Sequence, residues 1–111
     1  MKFELVATEI FIEQIENLDK KSKEQIKKKI DLISSIPFRF KRIHSKTVHN
    51  LFRARLNIRS NEMRLTYAVL SPNIILVCLL DRKDDYTDLE KYLKELKYNY
   101  KHSYKEEDRW Y

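Results

Sequence analysis

The 111-residue chain contains no glycine at all. That excludes the glycine-rich loops of nucleotide- and dinucleotide-binding folds, which need a bare backbone to approach a phosphate. Tight turns must instead be built from Asn, Asp, Ser or Pro. Cys78 is the only cysteine, so neither an internal disulfide nor a thiolate metal cluster can form. It lies inside an apolar run and reads as a small buried hydrophobe. That run, Ile74 to Leu80, is the longest unbroken apolar stretch. It falls far short of the ~20 residues that span a bilayer. The first residues include Glu4 and lack the apolar core of a secretory signal. His44, His49 and His102 show no metal-ligand spacing. The expectation is a single soluble, cytoplasmic domain with no membrane contact, metal or cofactor.

Charge is what the chain has in abundance. The formal net charge is +6, and its distribution says more than its size. Residues 1–38 hold seven basic and seven acidic side chains. Residues 39–64 hold Arg39, Lys41, Arg42, Lys46, Arg53, Arg55, Arg59 and Arg64 against Glu62 alone. Residues 65–80 carry no formal charge, and residues 81–111 nearly balance. The excess therefore lies in one central segment, and most of it is arginine. The planar guanidinium fork matches phosphate oxygens, whereas simple solubility is more often met by lysine. A polyanion is the expected partner. An acidic protein surface is the competing one, and the two are compatible.

Periodicity gives a coarse architecture. "KFELVA" reads as a first strand. Thr8 caps a helix with Phe11, Ile15 and Leu18 on one face. "LDKKSK" breaks the pattern, and a second helix places Ile26, Ile30 and Ile33 on one stripe before Pro37 stops it. "FRFKRIHSKTVHN" has no clear period and reads as a long basic loop. Residues 51–58 and 62–70 read as a strand pair joined by "RSN". Residues 73–80 form a third strand, apolar on both sides and so internal. Thr87 and Glu90 form a capping box for a last helix through Leu89, Tyr92, Leu93 and Leu96. The expected fold is α+β, in the order β-α-α-β-β-β-α, with a small antiparallel-type sheet packed on an N-terminal helical hairpin. Residues 1–97 form the domain, and residues 98–111 a charged, aromatic tail. Strand alternation puts Arg53 and Arg55 on one side and Phe52, Ala54 and Leu56 on the other. Met63, Leu65, Tyr67 and Val69 share a side that Arg64 opposes. If the apolar sides meet the helices, the three arginines share the exposed face.

The order of elements, together with "FRARL", "RLTY" and "DRKDDY", resembles the RelE/ParE superfamily of toxins from type II toxin–antitoxin systems. Asp81 stands where the family often has a histidine. The resemblance implies an endoribonuclease that cuts messenger RNA in the ribosomal A site and is silenced by a cognate antitoxin. It also implies residue roles. Arg53 and Arg55 correspond to the family's basic strand pair, Arg64 to its central arginine, Arg82 to its strand-end arginine and Tyr86 to its late tyrosine. Cleavage of that kind needs no metal: the 2′-hydroxyl attacks the adjacent phosphate, leaving a 2′,3′-cyclic phosphate and a 5′-hydroxyl.

Within that reading, Arg64 and Arg82 suit stabilisation of the phosphorane, where one fixed donor is worth about 2.7–4 kcal/mol. Arg53 and Arg55 grip flanking phosphates, with Lys46 and Arg59 as further phosphate contacts. Arginine stays protonated and is no base. Tyr86 can stack, hydrogen-bond or pass a proton, or can be a packed strand-end aromatic. Lys83 is a candidate proton donor, or a solvated side chain. His44 and His49 read as loop-surface histidines, and Glu62 as a turn carboxylate. Trp110 and the tail tyrosines can stack bases or pack on themselves. Two alternatives share the scaffold: a ParE-like inhibitor of DNA gyrase, and a catalytically inactive RNA- or protein-binding module.

Overall fold

The computed structural model describes residues 3–81 and 89–94. The elements are β1 (Glu4–Ala7), α1 (Glu9–Glu16), α2 (Lys20–Ser35), β2 (Lys41–Ile43), β3 (Leu51–Ile58), β4 (Asn61–Leu70) and β5 (Asn73–Asp81). Residues 89–94 are helical. The five strands form one sheet in the order β1-β5-β4-β3-β2. β1 runs parallel to β5, and the other three pairings are antiparallel. The expected α+β class and helical hairpin are present. The basic stretch from residue 38 to 50 is not all loop, because Lys41–Ile43 pairs with Leu51–Arg53 as an edge strand. Three residues are too few to show a period, so only the pairing reveals them.

Each helix starts on a local device. The Thr8 hydroxyl accepts from the Phe11 N–H at 3.1 Å, capping α1, and donates to the Val77 carbonyl at 2.6 Å. α2 begins at Lys20, earlier than the periodicity suggested, with Asp19 as its N-cap and Ser22 donating to the Asp19 carboxylate. "LDKKSK" is therefore largely helix, because its polar run faces water while Ser22 turns inward. The Ser22 hydrogen bond, with Arg59 behind it, holds the Asp19 carboxyl below its ordinary value.

The two faces of the sheet carry two cores. Phe11, Ile15, Ile26, Ile30 and Ile33 from the helices bury Phe52, Ala54, Leu56, Leu65, Tyr67 and Val69. Phe52 and Tyr67 stack with centroids 5.4 Å apart, and the Tyr67 hydroxyl donates to the Pro37 carbonyl. Burial pushes the Tyr67 phenol up from its usual value. The opposite face is not fully open, as strand alternation alone suggested. Leu51, Ala68, Ile75, Val77 and Leu80 pack there with Val48, Leu89 and Leu93. Val77 and Cys78 both turn to that side because the β4–β5 register shifts between Thr66 and Tyr67. Cys78 is buried, with its sulfur 3.1 Å from the Thr66 hydroxyl.

Candidate phosphate-binding face

In an antiparallel ladder, residues directly opposite one another share a face, with Cβ atoms about 4.5–5.5 Å apart. Three rows can therefore be laid across the second face of the sheet. Lys41, Arg53, Thr66 and Cys78 form one. Arg55, Arg64 and Leu80 form the next, and Asn57 and Glu62 the last before the hairpin turn. Behind them, Leu51, Ala68 and Ile75 form an apolar row under Leu89 and Leu93. The face is thus divided along the strand direction. Its apolar half is covered by residues 89–94, and its cationic half lies toward the β3–β4 turn.

The cationic half sets like charges opposite one another. Arg55 and Arg64 are register partners, and like charges directly opposite destabilise a sheet. Lys41 faces Arg53 in the same way. Across the three rows the charges are Lys41, Arg53, Arg55 and Arg64 against Glu62. Glu62 Oε1 stands 3.9 Å from Arg55 Nη1, with the Arg55 side chain 59% exposed. A partly exposed pair at that range contributes little. Arg53 and Arg64 are half-buried, and their Nε atoms are excluded from solvent. Guanidinium groups set into a partly dry face interact more strongly with an anion than they would in open water.

Not every candidate joins this cluster. Arg53, Arg55 and Arg64 come together. Lys46 is exposed on the β2–β3 loop, beside Thr47, whose hydroxyl donates to Glu90 at 2.9 Å. Arg59 sits in the two-residue β3–β4 turn, and its Nη2 lies 3.3 Å from the Asp19 carboxylate at the start of α2. Its charge is drawn toward the helical layer. His44 and His49 are exposed on the loop. Arg82, Lys83, Tyr86, Thr87 and the 98–111 tail lie outside the described residues. Asp81 stands in register with Met63, whose side chain packs on the helical core, so it shares that face and not the one bearing Arg64. Among the described residues, no group of three or more His, Cys, Asp or Glu side chains could hold a metal ion. No described helix is long and apolar enough to cross a membrane.

Two positions escaped the sequence reading. Lys41 adds a cation to the arginine rows, which its pairing with Arg53 makes visible. Gln14 holds the far end of β5. Its Nε2 donates to the Leu79 carbonyl at 2.9 Å, and its Oε1 accepts from the Leu79 N–H at 2.7 Å. β1 ends at Ala7, so this amide completes the strand edge that β1 leaves open. It fixes the segment of β5 that faces Arg64.

Comparison with known proteins gives one kind of match. No protein-family model matches the sequence, and no curated protein matches it significantly. Solved structures do match. A double arginine-to-alanine mutant of the E. coli toxin RelE in the free state superposes with a TM-score of 0.66 at 17% identity, covering 86% of this chain and 97% of that one. The same mutant toxin bound to a peptide of the antitoxin RelB gives 0.59 at 19% identity, covering 82% and 95%. The archaeal RelE–RelB complex from Pyrococcus horikoshii gives 0.55 at 18%, covering 77% and 100%. The fold of this chain is RelE-like.

Proposed function

We propose that this chain is the toxin of a type II toxin–antitoxin pair, an endoribonuclease that cuts messenger RNA on the ribosome in the cytoplasm. The observation that carries the reading is the Arg55–Arg64 register pair, flanked on the same face by Arg53. Like charges directly opposite one another weaken a sheet, and a bound phosphodiester turns that repulsion into attraction. The RelE-like fold and the neighbours solved with RelB support an antitoxin partner, and acidic groups on that partner would match the charge of this face.

In the proposed reaction the RNA 2′-hydroxyl attacks the adjacent phosphorus, and the 5′-oxygen of the next nucleotide leaves. The proton lost by the 2′-hydroxyl goes to a base, and the leaving oxygen takes one from an acid. Arg64, from the middle strand, and Arg82, next in sequence after β5, stabilise the charge that builds on the phosphorane. Arg53 and Arg55 hold the neighbouring phosphates. Tyr86 and Lys83 are the proposed proton-transfer groups, with Lys46 as a peripheral contact; Arg59 could join it only by leaving Asp19.

The test adds purified protein to translating ribosomes and analyses the RNA ends. The proposal expects fragments with 5′-hydroxyl and 2′,3′-cyclic phosphate ends, formed only with ribosomes present. Intact message with loss of gyrase supercoiling would transfer the assignment to a gyrase inhibitor. Intact message and unaffected gyrase would leave a binding module.

A further inference from the structure

Residues 38–42 read Phe-Arg-Phe-Lys-Arg, an alternation of rings and cations that the arginine rows do not absorb. Phe38 is 56% exposed, more than any other large apolar side chain among the described residues. It is nevertheless held in place. Phe3 and Phe52 meet it edge-on, with centroids at 6.2 and 5.8 Å and interplanar angles of 68° and 77°. Cations lie against the neighbouring rings. The Arg42 guanidinium sits 5.4 Å from the centre of the Phe52 ring, and Lys29 Nζ 5.9 Å from that of Phe40. Arg39 and Lys41 are exposed. Among the described residues no carboxylate forms an ion pair with Arg39, Lys41 or Arg42.

Guarding an edge strand against aggregation calls for charge but not for an exposed ring. A fixed ring among cations is what single-stranded nucleic acid uses: bases stack on the aromatic while the backbone tracks the charge. We infer that the β2 edge is a second contact surface for the same RNA strand, with Phe38 as a base-stacking platform and Arg39 and Arg42 as phosphate contacts. The inference rests on the RNA-binding reading above. Lys41 supplies the continuity. It projects to the Arg53 side, while its neighbour Arg42 pairs with Phe52 and projects to the helical side. A strand leaving the arginine rows therefore meets positive charge on both sides of the edge. Strand spacing and rise put Lys41 about 12 Å from Arg64, enough to separate two phosphate contacts. An acidic peptide could also meet exposed charge here. The unbroken run of cations to a phosphate-suited cluster favours RNA.

The experiment measures fluorescence anisotropy with 2′-O-methyl RNA, which lacks the attacking hydroxyl, at lengths of ~4 and ~12 nucleotides within the range a small fold covers. The longer strand should bind more tightly. Phe38→Ala should weaken it at least ~5-fold, and Phe38→Trp should restore it. Arg39→Ala with Arg42→Ala should lower the slope of log affinity against log salt by about 1.4, two single-strand phosphate contacts. The short strand should respond to Arg55→Gln with Arg64→Gln and hardly to Phe38→Ala. If long-strand binding ignores the edge variants while the Arg55/Arg64 variant weakens it, this inference fails and the proposed function stands. If the Arg55/Arg64 variant also binds both strands normally, the RNA reading itself fails. If Phe38→Ala spares RNA but abolishes binding of poly-glutamate, the edge is a protein-docking surface and the inference is overturned. A cooperative melt at a temperature no lower than the native protein's establishes that each variant is folded.

Discussion

Arg55→Gln should make the protein more stable at low salt, and only there. The Arg55 and Arg64 Cβ atoms lie about 5 Å apart, and their charged ends settle at roughly 7 Å. At that separation two unit charges in water repel by about 0.6 kcal/mol. Arg53, two residues along the same face, adds a similar amount. Against this, the substitution loses the Arg55–Glu62 pair, whose 3.9 Å separation and exposure make it worth about 0.5 kcal/mol at most. The net gain is about 0.5 kcal/mol at 10 mM salt, where the Debye length is ~30 Å. It should fade at 1 M, where that length is ~3 Å. For a domain of this size the gain is a rise in Tm of about 2–4 °C. Calorimetry of both proteins across a salt series measures it, and a cycle with Arg64→Gln isolates the pair. The cycle should show repulsive coupling that salt removes. A Tm that falls equally at every salt, or a coupling that is attractive, would refute the claim that the face is electrostatically loaded.

The remaining predictions concern the scaffold. Arg59 and Ser60 form the β3–β4 turn with φ of 52° and 67°. That region disfavours a Cβ, so Ser60→Gly should raise stability by up to about 1 kcal/mol, read from denaturant midpoints. Gln14→Leu should cost about 1–3 kcal/mol by orphaning the Leu79 backbone pair, with faster amide exchange at the end of β5. The Tyr67 phenol is raised in the fold, so its contribution is complete below the unfolded value near 10 and is lost as pH climbs through the higher folded value. Stability should fall above pH ~10 by up to about 1.4 kcal/mol per pH unit more in the native protein than in Tyr67→Phe. Equal slopes in pH-dependent unfolding would contradict that assignment.

The fold was readable wherever a residue's local pattern decides its fate. The apolar stripe of Ile26, Ile30 and Ile33, the Thr8 cap, and the alternation through Phe52, Ala54 and Leu56 all fold as the pattern implies. The hairpin needs no glycine because Arg59 and Ser60 accept the left-handed region themselves. What escaped depends on partners distant in sequence. β2 exists through its ladder with β3. The second face of the sheet is half closed because Val48, Leu89 and Leu93 reach it from elsewhere in the chain. At the candidate site, alternation foretold that Arg53, Arg55 and Arg64 share a face, but only register sets Arg55 opposite Arg64. Nothing in the composition could show that Arg59 would turn to Asp19, since that contact joins a strand turn to a helix cap.

The central claim is that the converging arginines act on a phosphodiester. Primer extension on a defined message in a purified translation system, comparing the native chain with Arg55→Gln/Arg64→Gln at matched folded concentration, tests it most directly. The account predicts codon-spaced cuts with the native chain, reduced at least ~100-fold in the variant, as expected for loss of a fixed transition-state donor. Undiminished cutting by the variant would contradict it.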